Sequence, residues 1–345
     1  MKKLKVGIAG PGGIAKNAHI PGYQQHREAE VTAVFSRSVE RAAAAARKFS
    51  IPQAYNDYSD MLNRAELDAV SICVPNKFHA EMTIQALEAG CHVFCEKPPA
   101  MSADEVRKMQ QVAERTGKVL TFNLHNRHSR EVQAIRSCGA AGELGHIYAA
   151  RVHALRRRGI PGWGVFTDKE LQGGGPLIDI GVHMLDTALY LMDYPEPDTV
   201  LAVSHQQIGP RTDAGLMGQW NPATFSVEDA LMGLIRFKDG QSLVIETSFA
   251  LNMEQAEQTQ VELFGDRGGA AVFPPRLFQD KAGQPSNTEF PFLKNGNMSE
   301  RSVADFVESC FGRKEPLVKV EEAVRLQQLI DALYQSADCG KAISI

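Results

Sequence analysis

The stretch that decides the fold is Leu4-Lys5-Val6-Gly7-Ile8-Ala9 followed by Gly10-Pro11-Gly12-Gly13-Ile14-Ala15. A short apolar run, the pattern of a buried strand, passes into a glycine turn and then a helical segment. Gly10, Gly12 and Ala15 satisfy the GxGxxG/A spacing. The first glycine permits the tight turn, the second lets a pyrophosphate approach the backbone, and the small third residue allows close helix packing. The helix N-terminus at Gly13 and Ile14 then points its N–H groups at the phosphates. Such spacing is weak alone. The strand before it and the pattern after it make it a dinucleotide-binding turn.

Outward from the turn, strands are predicted at 31–36, 69–74, 92–95 and 119–123, separated by helical periodicity, which is the grammar of a doubly wound parallel sheet covered by helices. The helix over 78–89 stops at Gly90. The next opens on the capping box Ser102-Ala103-Asp104-Glu105 and stops at Gly117. The alanines at 42–46 read as helix after the second strand, and Pro21 predicts a kink or break in the first helix. After Asn123 the grammar changes to a helix over 129–138 and then strands near 146–153, 199–206, 227–237, 242–249 and 259–265. Asp239-Gly240 turns the third of these strands into the fourth. Long loops fall at 156–175 and 207–225. Ala323, Leu326, Leu329, Ile330 and Leu333 mark an amphipathic C-terminal helix that packs on one of the domains. With 345 residues, more than one core usually organises, the chain divides into an α/β Rossmann domain at 1–123 and an α+β domain at 124–345.

A formal net charge of -4 and the absence of a Lys/Arg block argue against a nucleic-acid partner. The first strand starts almost at once, without a signal-peptide pattern, and no 18-residue apolar run occurs, so a cytoplasmic protein without a membrane partner is expected. The cysteines at 73, 91, 95, 138, 310 and 339 are scattered as reduced, mostly buried thiols. Cys91-His92-Val93-Phe94-Cys95 read as a strand puts His92 on the face opposite two thiols ~13 Å apart, which argues for core over zinc. No metal is expected.

An NAD-specific site ends its second strand on an acidic residue that bonds the ribose hydroxyls. Here Ser36-Arg37-Ser38 stands in that place, so no carboxylate is expected to compete with a 2′-phosphate. Arg37, helped by Arg41 one turn later, suits the 2′-phosphate of NADP. NADP is favoured over NAD; the alternative is a solvated helix start.

Glu96-Lys97-Pro98 follows the strand at 92–95, which puts Lys97 at the carboxyl edge where doubly wound sheets bind ligands. Lysine there holds a substrate oxygen or exchanges a proton. The second informative stretch runs from Gly173-Gly174-Gly175-Pro176 to Leu177-Ile178-Asp179-Ile180-Gly181-Val182-His183-Met184-Leu185-Asp186. Pro176 opens a helix on which Asp179, His183 and Asp186 fall at i, i+4 and i+7, a polar stripe on an apolar helix. The Asp179/His183 pair supplies a general acid/base with a carboxylate to influence it. A hydrogen-bonded core histidine is the competing reading. As metal ligands these residues form an incomplete set, with no HExxH motif to support them.

Taken together and in order, the glycine turn, Val74-Pro75-Asn76 with His79, Glu96-Lys97-Pro98, Asn123 and the segment from Gly173 to Asp186 resemble the Gfo/Idh/MocA family of dehydrogenases. The resemblance covers nearly the whole chain. It implies an open, mostly antiparallel sheet in the second domain, often used for homo-oligomers (a dimer or tetramer), and a catalytic group here made of Lys97, Asp179 and His183. It further implies that Pro75, Asn76, His79, Glu96, Lys97 and Asn123 line an NAD(P) site and that the loop carrying Trp163 approaches substrate. The expected reaction oxidises a secondary alcohol of a sugar or cyclitol, reversibly. His183 takes the hydroxyl proton, Asp179 orients the imidazole and Lys97 holds the reacting oxygen.

Two other readings fit the same scaffold: a coenzyme-binding regulator without turnover, and redox-assisted glycoside cleavage on a retained NAD. Arg156-Arg157-Arg158, just before Trp163, can meet an anionic sugar or form a solvated charge cluster.

Overall fold

Six short runs pair in parallel as one sheet: β1 (Leu4–Ala9), β2 (Ala29–Phe35), β3 (Gln53–Tyr55), β4 (Ala69–Ile72), β5 (His92–Cys95) and β6 (Leu120–Phe122), in the order β3-β2-β1-β4-β5-β6. The computed structural model describes residues 3–212, 215–294 and 296–345. Strand β4 is buried throughout and β5 nearly so, which explains their unbroken apolar runs in a sheet with helices on both faces. The order reverses between β1 and β4, so the glycine turn after β1 opens at the switch point of the sheet. Edge strand β3 was not anticipated, because three residues with a polar start make no apolar run.

Pro21 does not break the first helix. A π turn over Ala15–His19, in which the Ile20 N–H reaches the Ala15 carbonyl, leads into the α-helix Ile20–Gln25. Proline cannot donate one turn back and crowds the carbonyl there, and the wider turn just upstream accommodates it. Ser102 caps the helix as expected, its Oγ accepting the Glu105 N–H at 3.3 Å, while Glu105 reaches one residue past the cap to the Met101 N–H at 2.9 Å, and Gly117 ends the helix in the left-handed region at φ 64°.

Contacts divide the chain into residues Met1–His128 with Asn297–Gln327, and Ser129–Gly296 with Gln328–Ile345. This differs from a single boundary after Asn123. The helix Met298–Cys310 explains why, since it brings Val303, Phe306 and Val307 into the first core beside Val6, Ile8, Ile20, Tyr23 and Phe94. A Cβ at Gly22 would lie 2.9 Å from Val303 Cγ2, so glycine lets the two helices approach. The helix Val320–Cys339 runs through the division at Gln327/Gln328, and Ala323, Leu326, Leu329, Ile330 and Leu333 are all buried.

Among the described residues the second unit has nine strands: β7 (Ile147–Arg156), β8 (Pro197–His205), β9 (Ala230–Phe237), β10 (Ser242–Ser248), β11 (Glu257–Gly265), β12 (Gly269–Ala271), β13 (Arg276–Lys281), β14 (Gln284–Glu289) and β15 (Ile343–Ser344). Their order is β14-β13-β12-β11-β7-β10-β9-β8-β15, antiparallel except between β7 and β10. One face buries Val152, Leu231, Ile235, Ile245, Val261 and Leu263, and the helix Val182–Leu191 packs on β7 and β11. On the opposite face Leu201, Val203, Met232, Leu234 and Val244 are exposed. Among the described residues no helix is long and apolar enough to cross a membrane, and the six cysteines are free.

Candidate active site

In the first unit the carboxyl ends of β1, β2, β4, β5 and β6 bring the sequence-predicted coenzyme residues to one edge of the sheet. Gly10 has φ +91°, and a Cβ there would lie 2.6 Å from the Cys73 carbonyl oxygen, so the turn requires glycine. A Cβ at Gly12 or Gly13 would meet nothing within 4 Å, and Ile14 beside them is exposed. Open space along glycine backbone at a helix start is the cradle a pyrophosphate needs. The residues present therefore fit a dinucleotide.

At the end of β2, the Ser38 N–H bonds to Ser36 Oγ at 3.3 Å, and the Arg37 guanidinium lies 5.4 Å from the centre of the Phe78 ring. The strand end carries no carboxylate, but one stands nearby in the first turn of the following helix. Ser38 Oγ caps the helix Val39–Phe49 by accepting the Arg41 N–H, and it donates to Glu40 at 2.7 Å. That bond lowers the pKa of the exposed Glu40 carboxyl. A spacing argument limited to the last residue of the strand misses a carboxylate in the first turn of the following helix.

Pro75 precedes the 3₁₀ turn Asn76–Phe78, in which Asn76 is buried. His79, Glu96 and Asn123 lie beneath the edge, all nearly inaccessible. His79 joins two loops, with Nδ1 2.8 Å from the Pro98 carbonyl oxygen and Nε2 3.0 Å from that of Val74. Burial pushes its pKa down against the pull of those carbonyls. Glu96 receives His19 Nε2 at 2.7 Å and Asn123 Nδ2 at 2.7 Å, and its other oxygen accepts the Lys97 N–H at 3.1 Å. Burial alone would raise the Glu96 pKa. The hydrogen bond and charge of His19, with the Asn123 bond, outweigh it and hold the carboxyl at about 2.

The network extends from His19 Nδ1 to Ser71 Oγ at 3.2 Å, from Ser71 to the Tyr23 hydroxyl at 2.8 Å, and from the Ser302 hydroxyl to Asn123 Oδ1 at 2.9 Å. His19 and Ser302 were not found from sequence. His19 sits in the π turn, out of the α register, and Ser302 comes from a helix 179 residues beyond Asn123. Lys97 itself is half-buried above this network.

In the second unit the expected straight helix after Pro176 begins instead as a π turn, Leu177–Gly181, and continues as the α-helix Val182–Leu191. Asp179 is buried within the π turn and His183 is half-buried just after it. Asp186 is fully buried and has a partner of its own, accepting the Tyr194 hydroxyl at 2.5 Å. The start of the π turn is gripped by Glu228, whose carboxylate accepts the Gly175 N–H at 2.8 Å, the Leu177 N–H at 3.3 Å and the Tyr334 hydroxyl at 2.8 Å.

Trp163 is 54% exposed and meets the Phe166 ring edge-on at 6.4 Å. Its loop is tied to the other long loop by the Gly162 N–H on the Met217 carbonyl at 2.8 Å. The three arginines before it are engaged with backbone and neighbours. Arg156 lies 4.0 Å from Glu257, Arg157 donates to the Glu254 carbonyl at 3.2 Å, and Arg158 donates to the Leu251 carbonyl at 3.1 Å and to Asn252 Oδ1. Neither a free anion receptor nor a purely solvated cluster describes them. Among the described residues, no group of three or more His, Cys, Asp or Glu is arranged to hold a metal.

An oxidoreductase family model with an NAD-binding Rossmann fold matches residues 4–124, and the GFO/IDH/MocA C-terminal domain model matches residues 132–271. The chain is 42% identical to D-glucoside 3-dehydrogenase of Escherichia coli over 342 residues, 99% of this chain and 97% of that protein. The chain belongs to the Gfo/Idh/MocA family. As a Gfo/Idh/MocA protein it is an oxidoreductase with a nicotinamide coenzyme. It is also similar to D-xylose 1-dehydrogenase (NADP(+)) 2 of Haloferax volcanii, 28% identical over 99% of this chain and 100% of that protein. Levoglucosan dehydrogenase in complex with NADH and L-sorbose has the same fold, with a TM-score of 0.87, 22% identity and coverage of 100% of this chain and 99% of that one. The six parallel strands and the mostly antiparallel second sheet are thus the Gfo/Idh/MocA architecture that the motifs led us to expect.

Proposed function

We propose that this protein moves a hydride between a nicotinamide coenzyme and a secondary alcohol or ketone of a sugar, with D-glucosides as the first substrates to test. The observation that carries the reading is the 42% identity with D-glucoside 3-dehydrogenase along 99% of the chain, in a sequence that keeps Lys97, Asp179 and His183 in their motifs. When bound, the nicotinamide supplies the hydride chemistry. The Gly12 and Gly13 backbone holds the pyrophosphate. Lys97 holds the substrate oxygen, His183 takes or returns its proton, and Asp179 orients the imidazole. Engagement of Arg156, Arg157 and Arg158 with the 251–257 segment favours a neutral sugar over a uronate, and the exposed Trp163 suits the apolar face of a sugar ring.

NADP is the coenzyme we favour. Arg37 follows directly on β2, the strand end from which a Rossmann fold contacts the ribose, and Glu40 is exposed and already accepts the Ser38 hydroxyl, so solvent screens it. A screen of D-glucosides, D-xylose, inositol and other polyols at the nicotinamide absorbance, with both coenzymes, tests both points. Turnover of at least one sugar is expected, with the higher kcat/KM for NADP. Coenzyme binding without turnover across the panel would point to a regulator. Sugar release without net coenzyme change would point to glycoside cleavage.

A homo-oligomer in the cytoplasm completes the reading. The exposed face of the second sheet aligns Leu201 with Leu234 and Val244, and Val203 with Met232, a contiguous apolar patch of the kind that marks an interface. Leu234→Glu is expected to convert the assembly to monomers, read by light scattering on a sizing column; an unchanged mass would remove this face from the interface.

A further inference from the structure

We propose that Glu228, held by Tyr334, is a positioning residue for the turn that carries Asp179, and that Gly174 and Gly175 are glycines because this clamp occupies their side-chain space. The proposal rests on the reading that Asp179 and His183 carry the proton chemistry.

The π turn at Leu177 begins without a side-chain cap of its own: Pro176 at the cap position makes no such bond. A helix start leaves several N–H groups without partners, and here Pro176 and Leu177 are buried. Glu228, 8% exposed, supplies the missing acceptors from the segment before β9. Its negative charge sits where a helix start favours one. Burial pushes the carboxyl pKa up, and the bonds from Tyr334, Gly175 and Leu177 pull against it.

Steric demands on the glycines point the same way. A Cβ at Gly174 would lie 2.1 Å from the Tyr334 hydroxyl oxygen, and one at Gly175 would lie 2.3 Å from the Glu228 carbonyl oxygen and 3.1 Å from its Cδ. Gly173, at φ +92°, has a separate task in ending the short helix Lys169–Gln172. The grip continues into the turn, because the Gly175 carbonyl accepts the Asp179 N–H at 3.1 Å. At the far end a Cβ on Gly181 would lie 2.6 Å from Thr247 Cγ2, so the turn is packed against β10 as well. Tyr334, Glu228, Gly175 and Asp179 thus form one hydrogen-bonded chain.

Glu228→Gln tests this with no change in size. The Gly175 and Leu177 N–H groups can only donate and bond to different carboxylate oxygens, so in either orientation the amide nitrogen faces one of them and breaks that bond. The expected result is a fall in kcat of about ten- to a hundred-fold, the scale of a small misplacement of catalytic groups. The coenzyme KM is expected to stay unchanged, and the acid limb of the pH–rate profile and the NMR titration of the His183 ring to shift. A lower Tm with kcat, the profile and the titration unmoved would make Glu228 a structural cap and overturn the proposal. Tyr334→Phe, which deletes one bond and keeps the ring, is judged by the same readouts and decides the matter if Glu228→Gln does not fold. His183→Ala is measured alongside. Near-normal turnover there overturns the underlying reading and this proposal with it, whereas an impaired His183→Ala beside a fully active Glu228→Gln overturns the clamp alone.

Discussion

Lys97→Ala is expected to lower kcat/KM by about 10²- to 10⁴-fold, the range for an acid/base or oxygen-holding group, while coenzyme affinity stays close to wild type. The backbone around Lys97 explains the separation of effects. Its own N–H is held by Glu96, and the next carbonyl, that of Pro98, is held by His79. Truncation of the side chain leaves both bonds, the glycine cradle and the Arg37 edge in place. The measurements are steady-state kinetics on a verified sugar and a fluorescence titration with reduced coenzyme. Near-normal turnover would remove Lys97 from the mechanism. Loss of coenzyme binding in parallel with turnover would make it a binding residue. The double variant with His183→Ala should fall by less than the product of the single losses, because groups that act on one proton transfer are not additive.

What the sequence disclosed follows a physical pattern. Local, short-range features were legible: strands β1 and β5 were read to the residue, and the cap at Ser102 and the stop at Gly117 depend only on neighbours a few positions apart. Features that alter the helical period were not. Both helices that carry polar residues of interest, at His19 and at Asp179, contain π turns. Proline at 21 signalled trouble in the first, while nothing in Leu177-Ile178-Asp179-Ile180-Gly181 signalled the second. Asp186 lies in the regular α-helix beyond that turn, and its partner Tyr194 lies past the helix end, where the local pattern does not reach.

Long-range partners were equally invisible. Glu228 and Tyr334 are 106 residues apart, and no local motif surrounds either. The family motifs located Glu96 and Asn123, yet their place beneath the edge, bonded to His19 and Ser302, emerges only when the strands are assembled. Burial also separates two kinds of motif residue: Gly12, Gly13 and Arg37 face solvent, where a ligand can be met, whereas His79, Glu96 and Asn123 are buried and hydrogen-bonded among the loops that follow β4, β5 and β6.

That division makes Glu96→Gln the sharpest test of the framework. A folded carboxyl held at about 2 against its ordinary value of 4.5 corresponds to about 3 kcal/mol of stability. Because the folded pKa is depressed, this contribution is complete above the unfolded value and is lost as pH falls through the folded one. Glu96→Gln should therefore be about 3 kcal/mol less stable than wild type at neutral pH, with the gap closing between pH 4.5 and about 2. Urea denaturation across that range measures it. A constant gap would mean that packing, not charge, accounts for the role of Glu96. Activity should fall as well, since the glutamine cannot accept from His19, Asn123 and the Lys97 N–H together. A neutral-pH stability loss without a change in kcat would show that the network supports the fold and leaves Lys97 where it was.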